Sequence, residues 1–245
     1  TPNDNFFEND QFYWDSFFFF LARLRAGDIH IVKGIVENFA YLYNRYGIIP
    51  LRNKLYNLGI SQPPFLSTMV RAVYGEIQDK EWLGAVVDVL QRELYEYWMS
   101  GGQSGRHLLS IGLSRYCDHE INHITAEHES GWDMTSRFDE RCLDFAPVDL
   151  NCLLYKYECD LAYLFGELGN KQKVVDFALA AKKRKGLINT YLWSAQYGFF
   201  FDYDVKNQKQ HKFFSLAGFY PLWVGLASQE QADAVVKHLE TFECA

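Results

Sequence analysis

Long segments in which apolar residues recur every three or four positions are the feature that most constrains how this chain can fold. In residues 28–47 these positions are Val32, Ile35, Val36, Phe39 and Tyr43. The spacing places them on one face of an α-helix, with Asp28 as a candidate cap and Gly47 as a candidate stop. Further segments with helical signals are 61–77, 80–99, 148–169 and 171–193. The sequence therefore predicts an all-α fold of successive antiparallel helices.

Two segments carry signals for a helix start. Residues 61–77 begin with Ser61 as a candidate cap and two prolines in the first turn, where a missing amide donor costs little. Residues 228–240 open with Ser228 and Gln231, which have the spacing of a capping box. We therefore expect helices that begin close to both serines.

Two stretches interrupt the helical pattern. Residues 198–214 are typical of a small β-hairpin or extended excursion around the polar tip VKNQKQ. Residues 100–105, rich in glycine and serine, are the candidate linker. We interpret them as a loop, because helices of the same character lie on both sides, and we expect residues 1–245 to form a single domain.

Charge and hydropathy argue against two classes of partner. The net charge of −7 at pH 7 repels phosphates, so no nucleic-acid partner is expected. The basic run at 182–185 lies in a helical pattern and is interpreted as a solvated helix end. The apolar run at 17–22 is too short to span a membrane, so no membrane partner is expected. Aromatic residues make up 17% of the chain, which favours a ring-rich core or a cleft with aromatic platforms.

The cysteines predict reduced thiols and a cytoplasmic location. An odd number with irregular spacing does not fit a disulfide framework, and none forms a C-x-x-C pair typical of zinc ribbons. They are Cys117, Cys142, Cys152, Cys159 and Cys244. The sequence begins TPND, with neither methionine nor a signal peptide, so we expect a processed or trimmed piece.

The stretches FYWDSF and RNKLYNLGISQPPF carry groups suited to holding a sugar. The ring face of Trp14 can pack against sugar C–H groups, and Asp15 can accept hydrogen bonds from hydroxyls. The alternative is a helix start, with Asp15 stabilising exposed amides and Trp14 buried. Asn53 and Gln62 can also bond hydroxyls, although a turn role explains Asn53 equally well.

The stretch EHESGWDMTSRF, residues 127–138, combines a tryptophan, an aspartate and an arginine. An acid that protonates a glycosidic oxygen works best when it is buried beside an apolar ring, and Trp132 is in place to flank Asp133. Arg137 is placed either to bind substrate or to hold a nearby carboxylate. Gly131 permits backbone geometry that other residues resist. The alternative is a helix N-terminus capped by Asp133.

Two further patterns offer competing chemistry. HEINH matches H-E-x-x-H, in which two helical histidines hold zinc and the glutamate activates water. The residues concerned are His119, His123 and Glu120, with His128 or Glu129 as a third ligand. Because that pattern fixes only three positions, we favour a polar segment and expect no metal and no cofactor. Asp202 and Asp204 in FDYD are placed to touch a ligand or to flank a turn.

Taken together, these stretches resemble the trehalase family of glycoside hydrolases, and more loosely its clan relatives that cleave mannosylglycerate and glucosylated glycans. The similarity is ordered along nearly the whole chain. YWDSFF is similar to the family's Y-W-D-S-Y signature, SQPPFLSTMV to its S-Q-P-P segment, and ESGWDMTSRF to its E-S-G-W-D-x-S-S-R-W motif. KGIVENFAYLYNRYGIIP, VDLNCLLY and FYPLWVGLAS complete the series.

The resemblance implies an (α/α)6 toroid and inverting hydrolysis of an α-glycosidic bond in trehalose or a related small α-glycoside. In such chemistry a carboxylic acid protonates the leaving oxygen, while a second carboxylate roughly 6.5–9.5 Å away activates water. Asp133 matches the family's acid. The positions that match the sugar site or lie beside the acid are Trp14, Asp15, Gln62, Trp132 and Arg137. Asn53 is a looser match, because an ungapped alignment places Leu51 at the family's asparagine.

Three departures from the family pattern alter this expectation. TPNDNFF replaces the opening P-G-G-R-F, so a sugar-binding arginine is missing, and Ile60 replaces another arginine before S-Q-P-P. Each loss removes charge-assisted bonds worth about 1.5–3 kcal/mol and favours an altered choice of substrate. The family's base, a glutamate after a Q-W-D-x-P signature, has no counterpart, since Glu240 and Glu243 lie in a different context.

Two functional hypotheses follow. The first is a trehalase-like glycosidase of carbohydrate metabolism that acts on a small saccharide, its incomplete toroid completed by a second chain or fragment. The second is a sugar-binding or scaffold protein that keeps the cleft but lacks the general base. An incomplete toroid leaves apolar helix faces uncovered, which predicts association.

Overall fold

The computed structural model describes residues 10–100 and 106–243. The opening segment TPNDNFF, the candidate linker beyond Ser100, and Cys244 lie outside the described residues. In the described part the helices are α1 (Tyr13–Arg25), α2 (Ile29–Tyr46), α3 (Leu66–Ile77), α4 (Lys80–Arg92), α5 (His123–Ser130), α6 (Val148–Glu167), α7 (Lys171–Tyr191), α8 (Tyr220–Trp223), α9 (Gln229–Val236) and α10 (Glu240–Glu243). The strands are β1 (Phe145–Ala146), β2 (Trp193–Ser194), β3 (Phe199–Phe200), β4 (Asp202–Asp204) and β5 (Lys209–His211).

Helix α6 lies at the centre of the fold. It packs against α3, α4, α7 and α8, and its most extensive contact is with α7. Thirteen of its 20 residues are buried, so other elements enclose it on most sides. The main apolar core joins α6 to the first four helices, and a second cluster joins its first turns to β3 and α9.

Buried polar residues of α6 are paired with other elements. The pairs are Asn151 with the backbone of Ser114, Glu158 with Arg184 of α7, and Asp160 with Arg71 of α3. Each pair supplies the partner that a buried polar group requires. Arg184 belongs to the basic run at 182–185, so the interpretation of that run as a solvated helix end is wrong at this residue.

The predicted β-hairpin is present. Strands β4 and β5 pair antiparallel, with Asp202 opposite His211, and β1 pairs with the other edge of β4. Strand β3 pairs instead with β2 in a separate two-stranded sheet. The three-stranded sheet places Asp202 against the start of α6, where Asp202 Oδ1 accepts a hydrogen bond from the amide of Val148 at 2.8 Å.

Two predicted side-chain caps do not form, although α2 begins directly after Asp28 as predicted. Helix α3 begins at Leu66 rather than at Ser61, because the Ser61 hydroxyl donates to the carbonyl of Ile49 at 2.7 Å instead of capping a helix. The Asp28 side chain does not cap α2, since it forms an ion pair with Arg23 at 2.6 Å. In both cases the side chain that the local sequence assigns to the cap instead contacts a group outside the helix.

Other predicted boundaries are confirmed. Both hydrogen bonds of the capping box formed by Ser228 and Gln231 are present at the start of α9. Gly47 ends α2 in the left-handed conformation, with φ of 72°. These signals are local, and no long-range contact competes for them.

Helix α1 carries apolar side chains on nearly all sides, and several of them are exposed to solvent. Phe18 is 56% exposed, Phe19 is 50% exposed and Leu21 is 39% exposed. A helix of this kind is normally enclosed, and an exposed apolar patch favours contact with another apolar surface. Association therefore stays a prediction. None of the described helices is both long enough and apolar enough to cross a membrane.

A π-helical turn, Glu93–Trp98, extends α4 and places Glu93 in the core. The carboxylate accepts hydrogen bonds from the hydroxyls of Tyr13 and Tyr157, and from the indole of Trp98 at 3.3 Å. Burial raises the pKa of Glu93 to about 7, although these three donors oppose the rise. Because Tyr13 begins α1, this buried acid connects α4, α6 and α1.

We expect Glu93→Gln to change how stability depends on pH. Since the folded pKa lies above the unfolded one, the folded state holds the extra proton, and stability falls as pH rises from about 4.5 through about 7. Over this window the free energy of unfolding of the wild type should fall by roughly 3 kcal/mol more than that of the variant.

Urea denaturation at the two ends of this window measures the effect. Glu96→Gln is the matched control, since Glu96 lies in the same turn but is exposed. An identical pH dependence in the wild type and in Glu93→Gln would contradict the assignment.

Candidate active site

A cleft of about 400 Å³ lies between the start of α1 and the loop that follows α5. Its lining residues are Phe12, Trp14, Asp15, Leu51, Gln62, Gly131 and Asp133. Four of the residues singled out from the sequence, Trp14, Asp15, Gln62 and Asp133, therefore meet in one cavity. They come from three separate parts of the chain.

The first turn of α1 is held by residues of the Leu51–Gln62 segment. The amide of Tyr13 donates to the carbonyl of Leu51 at 3.1 Å, and the amide of Trp14 donates to Gln62 Oε1 at 3.2 Å. Gln62 thus satisfies an amide of the first turn, a role that was considered for Asp15. The carboxylate of Asp15 also accepts from its own backbone amide and from the Trp14 side chain, and it lines the cleft.

The cleft holds two carboxylates, and the charge of Asp133 acts on Asp15. Desolvation raises the pKa of Asp15, and the negative charge of Asp133 raises it further. Asp133 itself is exposed, whereas the sequence predicted an acid buried beside Trp132. The reason is that the adjacent side chains point apart, since the Trp132 indole turns away to donate to Asp149 at 2.8 Å.

Gly131 allows the loop after α5 to approach Trp14 closely. It ends α5 with φ of 71°, a conformation that other residues adopt at a cost. A Cβ atom at this position would lie 2.7 Å from the Trp14 ring. Backbone geometry and ring contact therefore both require glycine here, and together they set the distance between two walls of the cleft.

We expect Gly131→Ala to lower stability more than Gly169→Ala. Both glycines follow helices with positive φ, 71° and 75°, so alanine costs each about 1–2 kcal/mol in backbone strain. At Gly169 nothing lies within 4 Å of the new methyl group, whereas at Gly131 it meets Trp14. Thermal unfolding of both variants measures the difference. Equal losses would show that the loop moves away from Trp14 without cost.

Arg137 lies behind the cleft, 1% exposed, and joins two aspartates. Its Nε and Nη2 donate to Asp202 at 2.7 and 2.8 Å, and Nη2 also donates to Asp149 at 2.7 Å. The second oxygen of Asp149 accepts from the indole of Trp132 and from the hydroxyl of Tyr116 at 2.9 Å. One guanidinium therefore connects the loop after α5, the small sheet and α6.

Of the two roles considered for Arg137, the observed contacts are those of the second, since it holds two carboxylates, while contact with a substrate stays a prediction. Arg137 is not among the residues that line the cleft. Trp132 lies beside the cleft, with its ring centroid 6.4 Å from that of Trp14. Asp202 pairs with Arg137. Sequence reasoning missed Asp149, whose signal is an acidic residue in the apolar first turn of a buried helix.

We expect Arg137→Met to be strongly destabilising. The variant leaves Asp149 and Asp202 buried without their cation, and breaking a buried pair in this way costs about 3–5 kcal/mol. Lys33→Met is the control, since Lys33 pairs with Glu37 on the surface and its loss should cost at most about 1 kcal/mol. Urea denaturation of both variants tests this, and similar losses would contradict the anchoring role of Arg137.

The H-E-x-x-H stretch does not have the geometry of a zinc motif. That motif needs both histidines on one helical face, but Ile121 between them has φ of 55° and α5 begins only at His123. His123 Nδ1 accepts from the amide of Leu143 at 3.2 Å. Among the described residues, no group of three or more His, Cys, Asp or Glu side chains is arranged to hold a metal ion.

Two other singled-out residues lie away from the cleft. Asn53 is exposed, and its side-chain oxygen accepts from the amide of Gln11 at 2.9 Å. Leu51 lines the cleft instead, the position that the ungapped alignment indicated. Asp204 flanks the turn between β4 and β5, where it accepts from the amide of Asn207 at 2.9 Å.

Comparison with known sequences identifies one family. A family model described as Trehalase matches residues 2–125 and 122–245. The periplasmic trehalase of Xanthomonas campestris pv. campestris (strain B100) is 34% identical over 90% of this chain and 46% of its own. The cytosolic neutral trehalase of Kluyveromyces lactis is 32% identical over 94% of this chain and 38% of its own. The chain thus spans about half the length of the curated relatives it matches, or less.

Solved structures share the fold. Neutral trehalase Nth1 from Saccharomyces cerevisiae superposes with a TM-score of 0.85 and 29% identity, covering 94% of this chain and 52% of that one. A GH63 mannosylglycerate hydrolase from Thermus thermophilus gives a TM-score of 0.69 at 19% identity, covering 95% and 69% of the two chains. The predicted fold class, an all-α (α/α)6-type architecture with a small hairpin, is confirmed.

The comparison with known sequences corrects one expectation. The cytoplasmic location that we inferred from the cysteines is wrong, because several relatives at 32–34% identity are periplasmic trehalases. The described cysteines are free thiols, namely Cys117, Cys142, Cys152 and Cys159. Three of these are buried, and burial raises the pKa of each buried thiol. Such thiols pack as small apolar groups and carry little information about redox compartment.

Proposed function

The chain belongs to the trehalase family, and from this premise we propose that its cleft serves inverting hydrolysis of an α-glycosidic bond. The substrate we propose is trehalose or a related small α-glycoside, and the general acid is Asp133. The observation that carries this proposal is the meeting of Trp14, Asp15, Gln62 and Asp133 in one cavity of about 400 Å³. A volume in this range suits a small ligand.

Each residue of the cleft has a distinct proposed role. Asp133 protonates the glycosidic oxygen as the bond to the leaving sugar breaks. The ring of Trp14 packs against sugar C–H groups, while Asp15 and Gln62 bond hydroxyls. Arg137 contributes through Asp149, which orients Trp132, because its buried guanidinium lies behind the cleft.

The general base is the remaining requirement. Inverting hydrolysis needs a second carboxylate that activates water about 6.5–9.5 Å from the acid. We assign Asp15 to the sugar rather than to this role, since it matches the family's sugar-binding aspartate. The base then comes from a polypeptide segment that completes the cleft, either in the same protein or in a second chain.

We expect Asp133→Asn to lower the turnover of trehalose by at least about 10²-fold, the usual contribution of a general acid. Proton NMR of the anomeric signals measures this directly. Attack inverts one anomeric carbon while the leaving sugar keeps its α configuration, so active protein should first release α- and β-glucose in equal amounts. Asp139→Asn is the control, because Asp139 is exposed in the same loop but does not line the cleft.

A second substrate separates the acid from other roles. Fluoride leaves α-glucosyl fluoride without needing a proton, so Asp133→Asn should lose much less activity on this substrate than on trehalose. Equal losses on both substrates would remove the acid role from Asp133. Sugar binding without turnover by any variant would instead support the sugar-binding alternative.

A further inference from the structure

The buried carboxylate of Glu129 collects hydrogen bonds from four separate parts of the chain. It lies at the end of α5 and is 0% exposed. One oxygen accepts from the hydroxyl of Tyr97 and from the amide of Ser61 at 3.4 Å. The other accepts from the amide of Cys117 at 2.7 Å and contacts His107 Nε2 at 3.0 Å. The side chain therefore links the end of α5 to three segments that carry little regular structure.

One of these segments, at Ser61, carries one wall of the cleft, and the segment of Glu129 itself carries the opposite wall. Ser61 directly precedes Gln62, whose side chain holds the first turn of α1 through the amide of Trp14. On the other side, Glu129 lies two residues before Gly131 and four before Asp133. A polar connection between the acid-bearing loop and the Gln62 wall thus runs through the Glu129 carboxylate.

A carboxylate suits this position because it accepts several hydrogen bonds in defined directions. Ionised, it offers about four lone-pair sites, and donors in a buried setting bind them strongly. An apolar side chain of the same size would fill the space without setting the distances between the segments. Those distances matter, since a displacement of about 1 Å at a reacting group can lower a rate by about 10²-fold.

We propose that Glu129 is a positioning residue that holds the Gln62 wall and the Asp133 loop at a fixed separation. Its effect on catalysis rests on the proposed glycosidase function. Its effect on cleft geometry does not, because the Trp14 and Trp132 rings report that geometry directly.

Glu129→Gln tests the proposal, with Glu158→Gln as the matched control. The amide keeps the size of the side chain but replaces one acceptor with a donor, so at least one of the four contacts is lost. Glu158 is equally buried, 1% exposed, but pairs with Arg184 between α6 and α7 and does not line the cleft. We expect both variants to lower Tm, and only Glu129→Gln to lower kcat by about ten- to a hundredfold and to shift the ¹⁹F NMR signals of fluorotryptophan at Trp14 and Trp132.

The outcomes separate this proposal from the proposed function. If the wild type, tested together with the segment that supplies the base, hydrolyses no glycoside, the proposed function fails, and the tryptophan signal alone decides the role of Glu129. If Glu129→Gln and Glu158→Gln leave kcat and the tryptophan signal equally unchanged, the positioning role is overturned. Should Glu129→Gln fail to fold, Tyr97→Phe removes one donor and keeps the ring. A smaller loss of kcat and a changed tryptophan signal are then expected, and no change in either overturns the proposal.

Discussion

The rest of the site depends on the interaction between the buried guanidinium of Arg137 and the aspartates around it. A guanidinium in the protein interior needs carboxylates around it, and Asp149 and Asp202 supply them. Burial lowers the pKa of Arg137, but these two aspartates outweigh that effect and hold it above its ordinary value. Satisfying one cation therefore brings together the loop after α5, the first turn of α6 and the small sheet, although these elements are far apart in sequence.

Three buried ionisable residues support the cleft. Each is connected by hydrogen bonds to a segment that carries a cleft residue. Glu93 bonds the hydroxyl of Tyr13, next to Trp14. Glu129 bonds the amide of Ser61, next to Gln62. Arg137 reaches Trp132, next to Asp133, through Asp149. The residues that face the cavity are thus separate from those that hold them, and the supporting set lies in the dry interior, where hydrogen bonds are strongest.

The helices could be predicted from sequence because their signals are local: the periodicity of α2 and the capping box of α9 involve only near neighbours. The failures share one cause, which is competition from distant groups. Ser61 bonds Ile49 instead of capping α3, and Arg184 of the basic run pairs with Glu158 instead of facing solvent. Within the site, motif resemblance located Trp14, Asp15, Gln62 and Asp133. The supporting roles of Asp149 and Glu129 depend on partners that no local pattern specifies.

The buried polar pairs of α6 have a consequence for how this helix finds its orientation. An entirely apolar cylinder fits an apolar socket in several rotations and axial positions with similar energy. Glu158 meets its cation, Arg184 of α7, in only one of these, and any other leaves charge unpaired in the interior. The buried ion pair thus fixes the rotation and axial position of the helix, while apolar contacts stabilise its packing. Neighbouring apolar residues can accordingly be replaced by others of the same volume and different shape without a rotation of the helix.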